Sequence, residues 1–183
     1  MKLRGPIRKI FGFSARDKSK PGDFLSNPFQ DGENPFSIDC GKHDVEFMHQ
    51  THVNLCGDSC VNMVLKYKGK AHGNMNKNPR GAFTGINTDD VKDRLRQGGL
   101  TPLRVAPDGE GGTSYSAARI GQYLKQFGPI IATRPMHFVL IIGIDGDRIF
   151  YHDPWRGPNL IQTLKQFNRS LEWGDIDRLI AAV

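Results

Sequence analysis

Gln50, Cys56, His137 and Asp153 are the residues of this chain whose types and order are suited to chemistry. In the stretch Gln50-Thr51-His52-Val53-Asn54-Leu55-Cys56-Gly57-Asp58-Ser59-Cys60, a glutamine stands six residues before a Cys-Gly pair, and a helix-like run follows at once. Far downstream, His137 opens an apolar run and Asp153 sits in a His-Asp-Pro turn. A thiol that attacks a carbonyl needs a base, a group that orients the base and a donor for the developing oxyanion. The chain supplies one candidate for each, in the order Gln, Cys, His, Asp.

A helix that starts at Cys56 places its sulfur at a helix N-terminus, where unpaired N–H groups and the dipole favour the thiolate. An imidazolium close by lowers the thiol pKa further. The Cys56 backbone N–H and the Gln50 side-chain amide are the two expected oxyanion donors; losing one such donor typically costs on the order of 100- to 1000-fold in rate. His137 heads the apolar run Phe138-Val139-Leu140-Ile141-Ile142, which reads as a buried strand and so fixes its position. Asp153 follows sixteen residues later, across an Asp145-Gly146 hairpin signal. An antiparallel hairpin of that length brings its ends together. Asp153 then binds one ring nitrogen of His137 and aims the other at the thiol.

The elements that must position these groups follow from periodicity and punctuation. A helix is expected from about Cys56 to Lys68, with Cys60, Val61, Val64 and Leu65 at helical spacing and Gly69 as its stop. Residues 69–86 hold many Gly and Asn and read as a long loop. A second helix fits 88–97, capped by Asn87 or Thr88 and ended by Gly98-Gly99. Residues 106–113 form another Gly-rich loop. A third helix fits 115–127, with Ile120, Tyr123, Leu124 and Phe127 on one face. The period then changes to that of strands, at 129–133, 137–144 and 148–152. A short helix near 158–168 and a strand near 178–183 close the chain. Helices first and an antiparallel sheet later indicate an α+β fold.

Composition narrows the function classes. The chain has 183 residues, 38% hydrophobic and 24% charged, which suits one compact domain plus a tail. No apolar run approaches the roughly 20 residues of a membrane-spanning helix. The formal charge is +6, and residues 1–21 alone, with seven basic side chains against Asp17, account for the whole excess. The remaining charge balance argues against a nucleic-acid-binding core. Residues 1–36, basic and rich in Gly and Pro, are expected to be a tail or linker, or else an arm for an anionic partner; residues 37–183 form the domain. Ile10-Phe11-Gly12-Phe13 is too short for the apolar core of a signal peptide. Three cysteines, Cys40, Cys56 and Cys60, cannot all pair, which fits a reducing compartment.

Several of these residues admit a second assignment. Cys60 offers a second Cys-Gly-x-Cys reading, but the Gln50 spacing selects Cys56, leaving Cys60 as a buried helix residue. Cys56 and Cys60 with His49, His52 or His72 make poor metal spacing. His152 is an alternative base, placed by strand alternation on the face opposite Asp153. Trp155 either lines a substrate cleft or caps the core. Gly98-Gly99 and Gly111-Gly112 read as loop glycines.

Together, Gln50-x5-Cys56-Gly57-x-x-Cys60-x-x-Met63-Val64-Leu65-x-Tyr67-x-Gly69, His137-Phe138-Val139 and Asp153-Pro154-x-x-Gly157 resemble the papain-like cysteine peptidases. They are most similar to the domains that remove double-glycine leaders in bacteriocin exporters, and to related domains of bacterial toxins and effectors. The resemblance covers about residues 45–157. It implies a papain-like fold, with a helical lobe carrying the cysteine and an antiparallel sheet carrying His and Asp. It also implies Cys56 as nucleophile, His137 as base, Asp153 as its orienter, Gln50 in the oxyanion hole, and cleavage after Gly-Gly. Leu55 stands where the exporter domains usually carry Asp, and Asp58 where they carry an uncharged residue. These departures favour a free-standing peptidase acting on a protein target. On that reading the protein is an interbacterial toxin or delivered effector at work in the cytoplasm of a target cell, with a cognate immunity protein as partner. No cofactor is expected. The rival functions are a glutamine deamidase or acyl transferase using the same triad, and a binding module in which the triad is a relic.

Overall fold

The computed structural model describes residues 41–71, 85–109, 112–172 and 174–183; all of them belong to one compact unit, Phe36–Val183. The basic segment 1–21, Cys40, His72 and Gly111 lie outside the described residues.

Among the described residues, a mixed arrangement of four helices and an antiparallel sheet emerges, as the change of period along the chain requires. Strand β1 (Gly41–Lys42) comes first, then α1 (Cys56–Tyr67), α2 (Thr88–Gln97), β2 (Pro102–Arg104) and α3 (Ala117–Phe127). The strands β3 (Ile130–Arg134), β4 (His137–Asp145), β5 (Arg148–Asp153) and β6 (Gly157–Thr163) follow, then α4 (Leu164–Ser170) and β7 (Leu179–Ala182). The sheet runs β2-β7-β3-β4-β5-β6, with β1 added beside β4, and every pairing is antiparallel.

β4 is the centre of the molecule. Its residues Phe138 to Ile144 are all buried, and successive side chains alternate between two cores. Phe138, Leu140 and Ile142 pack with Cys60, Val61, Val64 and Leu65 of α1 and with Val91 and Leu95 of α2. Val139 and Ile141 pack with Ile120 and Leu124 of α3 and with Phe167 of α4. A strand buried on both faces explains why the run at 138–142 is continuously apolar rather than alternating.

The helix ends are set by local chemistry. Asn87 caps α2 in a reciprocal capping box with Asp90. Ser116 caps α3, so Tyr115 and Ser116 lie just outside a helix expected to begin at 115. Gly69, at φ 64°, takes the left-handed conformation that closes the end of α1.

Between 157 and 170 the expectation is corrected. A helix over 158–168 was indicated, but Gly157–Thr163 is an edge strand paired with β5, and α4 begins only at Leu164. Thr163 explains the boundary: its hydroxyl accepts the Gln166 N–H while the Gln166 side chain accepts the Thr163 N–H. Gly and Pro at 157–158 read as punctuation, yet Pro is tolerated on an edge strand, where a missing N–H breaks no ladder. The short strands β1 and β2 also went unforeseen.

Candidate active site

Two tight turns bring the chemistry to one end of β4 and β5. The β4–β5 hairpin closes through Gly146 and Asp147, between paired Asp145 and Arg148. Gly146 at φ 57° supplies the positive φ that such a turn needs at its first position. A bulge between Ile141 and Gly143 then shifts the register so that Leu140 faces His152. Asp153, one residue on, comes level with the start of β4.

There His137 Nε2 donates to Asp153 Oδ1 at 2.8 Å. The same oxygen accepts the N–H of Trp155 at 2.9 Å and of Arg156 at 3.1 Å. Asp153 is only 1% exposed, and its ion-pair distance to the Arg156 Nε is a long 4.0 Å. Burial favours the neutral acid, but the bonds from His137 and from the two N–H groups outweigh it, and the Asp153 pKa lies below its ordinary value.

With Nε2 committed to Asp153, Nδ1 is the ring nitrogen left to act on the Cys56 thiol, whose pKa His137 lowers. Burial pushes the His137 pKa down, but its bonds to Asp153 and Cys56 prevail and raise it to about 9. Burial likewise pushes the Cys56 thiol up. His137, together with backbone at Phe138 and Gly57, more than compensates, so its pKa is lowered. The two opposite shifts favour a thiolate–imidazolium pair at neutral pH.

Cys56 occupies the first position of α1, after Leu55, whose side chain provides no cap. Gly57 lets neighbours close on this turn: a Cβ there would lie 2.7 Å from Ile86 Cδ1 and 3.2 Å from a ring carbon of Phe138. Cys60, one turn further, is fully buried and its thiol pKa is pushed well up, first by burial and then by Cys56 and Asp153. It is a protonated core side chain. Asp58 is also buried, and it pairs with Arg94 of α2, a partner that no spacing in the sequence signalled.

Gln50 is brought to the same cavity. A space of about 330 Å³ is lined by Gln50, Val53, His137, Asp153, Trp155 and Arg156. The carbonyl of Pro154 accepts the Gln50 N–H at 3.0 Å and the His49 ring at 2.6 Å, tying this segment to the Asp153 turn. The Gln50 side-chain amide, however, donates to the carbonyls of His52 at 2.8 Å and Val53 at 3.0 Å, and its Oε1 is buried without a partner. The expected oxyanion donor is therefore engaged by its own loop. Trp155, 54% exposed, lines the cavity and does not cap the core.

His152 is placed elsewhere. Its Nε2 donates to the Val45 carbonyl and its Nδ1 accepts the Asn159 N–H. Both nitrogens are committed, and burial lowers its pKa, so it remains neutral and holds β5 to the segment before α1.

Comparison with known proteins supports the fold and the family. Two crystal structures share the fold. One is a double-glycine-motif protease from an AMS/PCAT transporter in complex with a leader peptide, with TM-score 0.59, 21% identity, and coverage of 78% of this chain and 93% of that one. The other is the peptidase domain of Streptococcus ComA, a bifunctional ABC transporter of a quorum-sensing pathway, with TM-score 0.57, 12% identity, and coverage of 76% and 98%. Residues 40–172 match the family model described as papain-like cysteine protease AvrRpt2. The match spans the thiol, the imidazole and the carboxylate, and the chain belongs to this family of papain-like cysteine peptidases.

Proposed function

We propose that Cys56 is the nucleophile, His137 its acid–base partner and Asp153 the group that orients His137, in a peptidase that cuts a protein target. The observation that carries this reading is the 2.8 Å bond from His137 Nε2 to the buried Asp153 carboxylate, beside a Cys56 thiol whose pKa His137 lowers.

In the forward step the thiolate adds to the peptide carbonyl carbon. As the C–N bond breaks, the protonated His137 gives its Nδ1 proton to the leaving amine. His137 then takes a proton from the water that attacks the thioester, and as the C–S bond breaks the acid product leaves and the thiolate–imidazolium pair is restored. The oxyanion in both steps is held by the Cys56 N–H and by the Gln50 amide, once that amide leaves the carbonyls of His52 and Val53.

The cleavage site follows small residues, of which a Gly-Gly pair is the specific form. The bulky Val53 and Trp155 lining the cavity, and the fold shared with a double-glycine protease, support this. The biological role is that of a toxin or effector active in the cytoplasm of a target cell, restrained in its producer by an immunity protein that fills the cleft. Among the described residues, the free thiols of Cys56 and Cys60, the first of them the attacking group, suit such a reducing compartment.

The test is to express the wild type and Cys56→Ala in recipient cells and map new protein termini by mass spectrometry. Termini following small residues, present with the wild type alone, are expected. Equal termini with Cys56→Ala would remove Cys56 from the mechanism.

A further inference from the structure

We infer that Arg94 is a positioning residue of this peptidase: its ion pair with Asp58 fixes the first turn of α1 against α2, holds the Cys56 thiol opposite His137, and cancels a carboxylate that opposes the thiolate. The inference rests on Cys56 being the nucleophile.

Asp58 lies two residues after Cys56, in the first turn of α1, and is 3% exposed. A carboxylate so buried needs a cationic partner, and Arg94 supplies it from α2. Because Leu55 offers no side-chain cap, this turn has to be held from outside. Ile86, just before α2, and Phe138 of β4 close on the space that Gly57 leaves open, and Arg94 grips Asp58.

α2 is itself anchored to the segment that leads into β7. Lys92 meets Asp177 at 2.6 Å, and the Thr88 hydroxyl donates to Asp175. At the far end of the helix pair, Gly98 allows close approach of Leu65. α1 also packs directly on β4, through Cys60, Val61, Val64 and Leu65 against Phe138, Leu140 and Ile142, and Arg94 adds a hold on its first turn from α2.

Charge makes the same point. Among the described residues, His137 from β4, with Asp153 of β5 behind it, faces Cys56, Cys60 of its own helix stays protonated, and Asp58 lies two residues on in the same turn. Arg94 sets a positive charge against the Asp58 carboxylate at the helix end whose dipole favours the thiolate.

The experiment compares Arg94→Met, Arg94→Lys and the double variant Asp58→Asn/Arg94→Met by kcat, KM and the pH dependence of Cys56 alkylation by iodoacetamide. Arg94→Met should lower kcat roughly 10- to 100-fold with KM nearly unchanged, and move the acid limb of alkylation up by about one pH unit. Arg94→Lys should restore much of kcat. The double variant should return the acid limb to its wild-type place, since it leaves no unpaired buried charge. A wild-type kcat and acid limb in Arg94→Met, whatever its melting temperature, would overturn the inference while leaving Cys56 as nucleophile. Should Arg94→Met fail to fold, the folded double variant decides: an acid limb still displaced in it overturns the charge argument, and a restored one upholds it. Failure of the parent reading is separate, because it appears as activity in Cys56→Ala.

Discussion

His137 Nε2 and Asp153 Oδ1 lie 2.8 Å apart, on an oxygen that already accepts two backbone N–H groups from the turn after it. The carboxylate is therefore fixed by its own turn before it fixes the imidazole. Asp153→Ala should lower kcat/KM by about 100- to 10,000-fold, because His137 loses both its orientation and its charge partner. Asp153→Asn keeps an acceptor oxygen and should retain more activity than Asp153→Ala. Steady-state kinetics of the two variants checks this; equal losses would mean that the hydrogen bond contributes nothing apart from the charge.

The pH dependence has a definite sign. Cys56 is lowered and His137 is raised to about 9, and both shifts favour the thiolate–imidazolium pair over the neutral pair. Alkylation of Cys56 should remain fast well below the ordinary thiol value of about 8.5, and kcat/KM should fall as pH rises through about 9, where His137 gives up its proton. Stability follows the same groups. The folded His137 pKa lies above its ordinary 6.5, so its contribution is complete below that value and disappears as pH climbs through about 9. The Asp153 pKa lies below its ordinary 3.8, so its contribution is present above that value and is lost on acidification. Thermal melts across pH in the wild type and in His137→Ala test both signs: the difference between them should shrink on the alkaline side.

Much of this site was legible in the sequence because its signals are local. The Cys56 helix, the Asn87 cap and the turn at Gly146 follow from residues within a few positions of each other. The His137–Asp153 contact is long-range in sequence, but a tight hairpin makes it nearly a local prediction. β6 was misread because an edge strand needs only one paired side, and Gly157-Pro158 at its start resembles a break. The Asp58–Arg94 pair was invisible for a different reason: it depends on how two helices pack, which no spacing encodes. The engagement of Gln50 by His52 and Val53 likewise depends on loop conformation and not on residue type.

That engagement yields a prediction of its own. If the Gln50 amide moves to the oxyanion during turnover, Gln50→Ala should lower kcat by about 100- to 1000-fold. Alkylation of Cys56 by iodoacetamide should stay near its wild-type rate, because displacement at a saturated carbon develops no oxyanion. A drop of only a few-fold in kcat with a clear loss of thermal stability would instead assign Gln50 to holding the 51–54 loop.

The close packing at Gly57 can be tested with a single methyl group. A Cβ at this position would lie 2.7 Å from Ile86 Cδ1 and 3.2 Å from Phe138, and Phe138 is the residue next to His137. Gly57→Ala should therefore displace the first turn of α1, with an overpacking cost of about 1–3 kcal/mol and a fall in kcat larger than the fall in stability alone explains. Ile86 is half-buried and sits at the edge of the core, so truncating it makes room without opening the interior. Gly57→Ala/Ile86→Ala should recover most of the activity lost in Gly57→Ala. Chemical denaturation and steady-state kinetics on the two variants separate the effects, and no recovery in the double variant would place the obstruction at Phe138, on the sheet side of the thiol.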